Sequence, residues 1–223
     1  MAFIHGNQPP VLDVWDEMSL GKRFYNTPDG KRYPSITTIL GSGPKPWLEA
    51  WKNAIGPAAA KKEQERCSDR GTALHDMVEK YLKNVEAPTE GHDRANIGLF
   101  NQIRMQLSRR VGEIRAQEIP LFSHSLKVAG RVDCVAEYDG VLSIIDFKTS
   151  NNNKTEDMIE DYFLQCTAYA IMYYEMYGVP IDQIVVVIAV EKGMMPMVYK
   201  REIFDYLEPL QQRIRAYYDR TQK

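Results

Sequence analysis

The run Gly130-Arg131-Val132-Asp133-Cys134-Val135-Ala136-Glu137-Tyr138-Asp139-Gly140-Val141-Leu142-Ser143-Ile144-Ile145-Asp146-Phe147-Lys148 decides the fold. Two apolar-rich segments flank Asp139-Gly140, the strongest short-range signal for a β-hairpin. With Asp139 and Gly140 as the loop, Tyr138 faces Val141 and Asp133 stands directly opposite Asp146. Cross-strand Cβ atoms lie about 4.5–5.5 Å apart, and like charges placed there destabilise a sheet. A cation between the carboxylates resolves the conflict. Lys148, two residues past Asp146, shares its face of the pleat. Two carboxylates and an ammonium make a metal-plus-lysine site suited to phosphodiester hydrolysis.

The rest of the chain bounds that reading. Its 223 residues fit one large domain, or a core with an embellishment. The formal charge of −2 gives no global attraction to polyanions, so a nucleic-acid surface has to be local. Cys67, Cys134 and Cys166 are odd in number and lack metal-ligand spacing, which points to a reducing compartment. The first ten residues carry no secretory or transit pattern, and the apolar run Ile184 to Val190 is too short to span a bilayer. A cytoplasmic protein with no membrane contact is expected, in the host cytoplasm if the chain is a phage product.

Upstream, residues 1–34 suggest a short ribbon at 23–26 and 31–33, turned by Pro28-Asp29-Gly30. Ser35 reads as the N-cap of a short helix through Leu40. A helical region from Trp47 to about Arg66 is interrupted near Gly56-Pro57. A separate amphipathic helix follows Gly71-Thr72, with Leu74, Met77, Val78, Tyr81 and Leu82 on one face and His75 with Glu79 beside it. A polar loop covers 84–94, and a basic helix runs from Ala95 to about Arg110. Downstream come a strand through 117–122, the hairpin at 127–148, and an Asn-rich loop. A long helix from about Glu156 to Tyr177 ends on Gly178. Strands at 184–190 and 197–200 and a helix from about Phe204 to Arg220 close the chain. The long helix is a crossover that returns a strand parallel to the hairpin, giving a mixed sheet flanked by helices.

At these residues the chain resembles the PD-(D/E)XK nucleases, with Asp133 followed by Asp146-Phe147-Lys148 on the next strand. Gly71-Thr72-Ala73-Leu74-His75 is similar to the histidine motif of the RecB-type branch, and Gln165-Cys166-Thr167-Ala168-Tyr169 to its trailing Gln-x-x-x-Tyr motif. Asp133 to Tyr138 and Ile145-Asp146-Phe147-Lys148-Thr149-Ser150 are similar to the family of mitochondrial genome maintenance exonucleases and compact bacteriophage relatives. The likeness covers roughly residues 33–190 in family order, and the lack of a transit segment favours the phage type. Val132 stands where the motif's name has proline, a common departure. The resemblance implies an α/β, restriction-endonuclease-like PD-(D/E)XK core with a helical N-terminal cap. One nuclease domain over 1–223 is expected, with 1–110 the mainly helical cap region and 111–223 the sheet core and C-terminal helix.

Asp133 and Asp146 supply hard oxygen ligands for Mg²⁺ or Mn²⁺, and the imidazole of His75 tilts the preference toward Mn²⁺. The resemblance adds the backbone carbonyl of Phe147 as a ligand and a glutamate, here Glu118, near the metal. Lys148 orients or deprotonates the attacking water and offsets transition-state charge. Gln165, Tyr169, Arg70, Glu79, Thr149 and Ser150 complete the candidate substrate contacts. Each has a plainer reading. Glu79 suits a solvated i,i+4 pair, Glu118 an edge-strand charge, and Gln165 with Tyr169 helix-to-sheet packing. Trp47 and Trp51 suit base stacking but more often form core. Lys61, Lys62, Arg66, Arg70, Arg104, Arg109, Arg110 and Arg115 suit a backbone-tracking groove or an ordinary solvated face.

The activity implied is divalent-metal-dependent DNA hydrolysis from single-stranded ends, in replication, recombination, repair or degradation. The alternatives are a duplex-resecting recombination exonuclease, a structure-specific endonuclease, or a catalytically inactive DNA-binding subunit. Intact Asp133, Asp146 and Lys148 argue against the last. A monomer is expected, with DNA as its partner and single-strand-binding or recombination proteins beside it.

Overall fold

The computed structural model describes residues 2–221, apart from the side chain of Trp47. Trp47 as a stacking residue therefore lies outside what is described. Five strands form the central sheet: β4 (Val111–Ser123), β5 (Val128–Tyr138), β6 (Val141–Ser150), β7 (Gln183–Val190) and β8 (Met197–Glu202), in sheet order 4-5-6-7-8. Only the β6–β7 pair is parallel. That pair is joined across the sheet by α5 (Glu160–Tyr177), the crossover expected from the sequence.

Alternation along the strands sorts two helical layers. Ile145 and Phe147 of β6 face α3 (Pro57–Leu82) and α4 (Arg94–Arg110), packing with Leu74, Met77, Phe100 and Ile103. Ile144 faces the other way, into a cluster with Leu164, Ala168 and Met172 of α5, Ile36 and Ile39 of α1 (Ile36–Gly41), and Leu210 of α6 (Leu207–Thr221). Asp146 and Lys148 share the parity of Ile144 and point toward the α5 layer. Before α3 lies α2 (Pro46–Ile55), and both helices place proline in the first turn, where a missing N–H costs little.

Three elements differ from the sequence reading. First, α3 is continuous for 26 residues, with Gly71 in mid-helix instead of before a new helix. A mid-helix glycine costs roughly 1 kcal/mol relative to alanine, and burial of Leu74, Met77, Val78 and Leu82 outweighs it. Second, an extra strand, β1 (Trp15–Ser19), pairs with β2 (Lys22–Asn26), and β2 with β3 (Arg32–Pro34), so the ribbon has three strands. β1 is a solvent-facing edge with no apolar alternation to betray it. Third, residues 156–158 form a separate 3₁₀ turn before α5 begins. No described helix is long and apolar enough to cross a membrane.

Phe100 is fully buried between α4 and the sheet. Phe100→Ala should lower unfolding stability by about 3–5 kcal/mol, measured by urea denaturation. A loss under about 1 kcal/mol would mean that α4 is not a core layer.

Candidate active site

The ladder between β5 and β6 runs from Tyr138↔Val141 to Cys134↔Ile145, in the register predicted, and the loop residues Asp139 and Gly140 have φ of 54° and 80°. Positive φ at both positions defines the tight turn that suits glycine at the second. The expected facing pair needs correction at its last step, because the ladder stops one pair short of Asp133 and Asp146. There Asp133 Oδ2 accepts a hydrogen bond from the Phe147 amide at 2.9 Å. The carboxylate replaces a strand partner and the strands part. On the other side, β4 pairs Gln117 with Cys134 and Ile119 with Val132, so Glu118 stands abreast of Asp133 with φ of 51°. Glu118, Asp133 and Asp146 thus form a row across three strands where neither ladder closes. Like charges set side by side explain the opening.

His75 approaches from α3. Its Nε2 donates to the Phe147 carbonyl at 2.8 Å, which turns Nδ1 toward Asp133 Oδ2 at 3.6 Å and Glu118 Oε1 at 3.9 Å. One ligand atom from each of His75, Glu118 and Asp133 lies within 4.8 Å of the other two. The Phe147 carbonyl, expected as a ligand, here receives the histidine N–H, an arrangement that orients metal-binding histidines. Asp146 is 1% exposed and turns away from this cluster. Lys148 Nζ lies 2.7 Å from its Oδ1 and 2.6 Å from its Oδ2, and Gln165 Nε2 donates to Oδ1 at 3.0 Å. Apart from that ammonium, Oδ2 has no donor. Gln165 also donates to Tyr169 Oη at 3.2 Å, so both residues brace Asp146 as well as lining the cavity. Tyr169 presses against β5 where only glycine fits: a Cβ at Gly130 would meet Tyr169 Cε1 at 2.7 Å.

Burial opposes the charged form of His75, but Asp133 and Glu118 outweigh it and push its pKa up to about 9. Burial raises Asp133, and it raises Asp146 to about 6 against the pull of Lys148. Burial also opposes the ammonium of Lys148, but Asp146 and Asp133 outweigh it and hold its pKa above the usual value, so it stays protonated. Three carboxylates therefore face two cationic side chains, and an added cation relieves the imbalance. An oxygen-rich set with one imidazole fits a hard or borderline divalent ion.

Other candidates are placed differently. Arg70 is 6% exposed, pairs with Glu191 at 2.7 Å and donates to Asn151 at 2.7 Å. It locks α3 to the ends of β6 and β7, which corrects its reading as a substrate contact. Glu79 lines a groove beyond His75 but pairs with Lys83 at 2.5 Å. Ser150 is buried and donates to the Asn152 carbonyl; Thr149 is half-buried beside it on β6. Arg66, Arg110 and Arg115 are taken up by Glu191, Asp139 and Glu113, and Arg104 lies over the Tyr81 ring. These contacts fit the plainer reading of an ordinary surface, on which Lys61, Lys62 and Arg109 are exposed. The cavity wall is instead shared by Arg23, Tyr25, Ser35, Thr37 and Arg131. Of these, only Ser35 stands out in the sequence, as a helix cap, because segments so far apart carry no common spacing.

The family model of the PD-(D/E)XK nuclease superfamily matches residues 50–222. The chain belongs to this superfamily. Over 173 residues it is 30% identical to mitochondrial genome maintenance exonuclease 1 of Mus musculus, covering 72% of this chain and 50% of that protein. The Homo sapiens and Xenopus tropicalis proteins of the same name are 28% and 27% identical over 72% of this chain, covering 50% and 49% of theirs. The chain thus spans about half the length of these relatives. A crystal structure of a protein from Eubacterium rectale overlays with a TM-score of 0.45 at 15% identity, covering 68% of this chain and 65% of that one.

The raised His75 pKa has a signed consequence. Its contribution to stability is fully present below its ordinary 6.5 and is lost as pH rises through about 9. In chelator, the melting temperature should therefore fall between pH 6.5 and 9, and fall less in His75→Gln. Equal falls in the two proteins would contradict the assignment.

Proposed function

We propose that the chain is a divalent-metal-dependent DNA exonuclease that acts on single-stranded ends. The observation that carries this reading is the His75–Glu118–Asp133 cluster in one cavity with Lys148, whose ammonium is held from behind by the buried Asp146. His75, Glu118 and Asp133 would hold Mg²⁺ or Mn²⁺, with the neighbouring Asp146 supplying its remaining charge to the site. Such an ion, when bound, polarises the scissile phosphate and acidifies water. Lys148 acts as a fixed positive charge and hydrogen-bond donor, because its carboxylate neighbours keep it protonated against the cost of burial. Its ammonium faces the cavity and offsets charge that grows on the phosphate oxygens. Asp146 and Gln165 hold the ammonium and carboxylate in register, so little reorganisation is needed during reaction.

The single-strand reading rests on the family resemblance; the cavity, about 220 Å³, has room for the reacting phosphate and its sugar. The relatives are named as exonucleases, and replication, recombination, repair or degradation would each use such an activity.

With Mg²⁺ or Mn²⁺, linear single-stranded DNA should be degraded while closed circles of the same sequence survive. Circles cut as fast as linear strands would rule out exonuclease action. Lys148→Ala and Asp133→Asn should each lower kcat by about 10²-fold or more, with DNA affinity changed only a few-fold. Full activity in either variant would sink the mechanism.

A further inference from the structure

The superfamily match begins at residue 50, yet one wall of the catalytic cavity is built from residues before that point. Arg23 and Tyr25 reach it from β2 and Thr37 from the first turn of α1, and Arg131 of β5, within the matched span, adjoins them. This wall is fastened in place. Tyr25 is buried with Phe122 and Ala129 of the β4–β5 hairpin. The Arg23 amide donates to Thr38 Oγ1 at 3.1 Å, and the Ser35 amide to the Arg23 carbonyl at 2.8 Å. Ser35 also bridges to Ala129 of β5.

The wall carries two guanidiniums, one of them without a carboxylate among the described residues. Arg131 is exposed and donates to the Glu118 carbonyl at 2.6 Å, and it has no carboxylate partner among the described residues. Arg23 is half-exposed, with Nε 3.4 Å from Asp16. Burial and Asp16 raise the Tyr25 pKa, while the positive charge of Arg23 and then of Arg131 pulls it back. A fork of N–H donors matches the paired oxygens of a phosphate ester, and both arginines line the cavity that holds Asp133 and Lys148.

We propose that Arg23 and Arg131, helped by the Thr37 hydroxyl, form a second phosphate site that holds the DNA strand one phosphate away from the bond to be cut. This rests on the nuclease reading of the same cavity. The N-terminal ribbon thereby becomes part of the substrate channel. The same donors suit an internucleotide phosphodiester or a terminal phosphomonoester, and the test separates these sources.

Single-stranded oligonucleotides with and without terminal phosphates are titrated in chelator, across a range of salt, against wild type, Arg23→Ala, Arg131→Ala and Arg23→Lys. Each alanine variant should bind about ten-fold more weakly or worse. Each should also lower the slope of log K against log salt by about 0.7. Arg23→Lys keeps the charge and should keep the slope, which guards against a folding artefact. Equal losses on both oligonucleotides assign an internucleotide phosphate, and a loss confined to the phosphorylated one assigns a terminal phosphate. Unchanged affinity and slope in both alanine variants would overturn the site, as would an equal loss in Arg201→Ala on the far edge strand β8. Where the variants show the expected losses yet wild type cleaves nothing, the phosphate site stands and the nuclease reading falls. Where wild type cleaves and both alanine variants bind unchanged, the nuclease reading stands and the phosphate site falls.

Discussion

The hydrogen bond from the Phe147 amide to the Asp133 carboxylate is the contact on which the site depends. A carboxylate that takes a backbone amide from the next strand ends the ladder where it stands, and β5 and β6 separate there. The gap gives His75 access from the α3 layer to the Phe147 carbonyl, while Asp146, already facing the α5 layer, is met there by Gln165. A continuous sheet would have sealed the two layers from each other. The two faces meet here because one side chain substitutes for a strand bond.

Electrostatics then explain why the arrangement suits a cation. Glu118, Asp133 and Asp146 stand in one row, drawn together by register and not by any attraction. His75 and Lys148 offset part of that charge, and the buried oxygen of Asp146 has only the ammonium as partner. A cluster of like charges costs stability until a ligand offsets it, which is the usual condition of a site shaped for a ligand. Glu118 keeps a left-handed backbone to take its place in the row. Such strain in a glutamate is tolerated where the surroundings over-determine the position.

Much of this is legible in sequence because the information is local. Asp139-Gly140 fixes the hairpin and its register, and the parity of Asp146 and Lys148 follows from the pleat. Ser35, Gly178 and the crossover helix give themselves away by cap chemistry and periodicity. What stays hidden depends on long-range contacts. The break in the ladder at Asp133 is set by a side chain choosing a backbone partner. Arg70 looks like a substrate contact in sequence because its neighbours Glu191 and Asn151 lie 121 and 81 residues away. Glu118 is picked out by resemblance alone, since nothing nearby in the sequence announces its positive φ. The ribbon wall, with Arg23 and Arg131, joins segments that no spacing rule connects.

The proposed cation site of His75, Glu118 and Asp133 has the opened strands as its floor, and the rest of the proposed mechanism follows from it. Mn²⁺ binding followed by electron paramagnetic resonance, in wild type, His75→Ala and Glu118→Gln, tests it most directly. Each substitution should weaken Mn²⁺ binding by about ten-fold or more while the melting curve stays cooperative. Wild-type Mn²⁺ affinity in both variants would contradict the account.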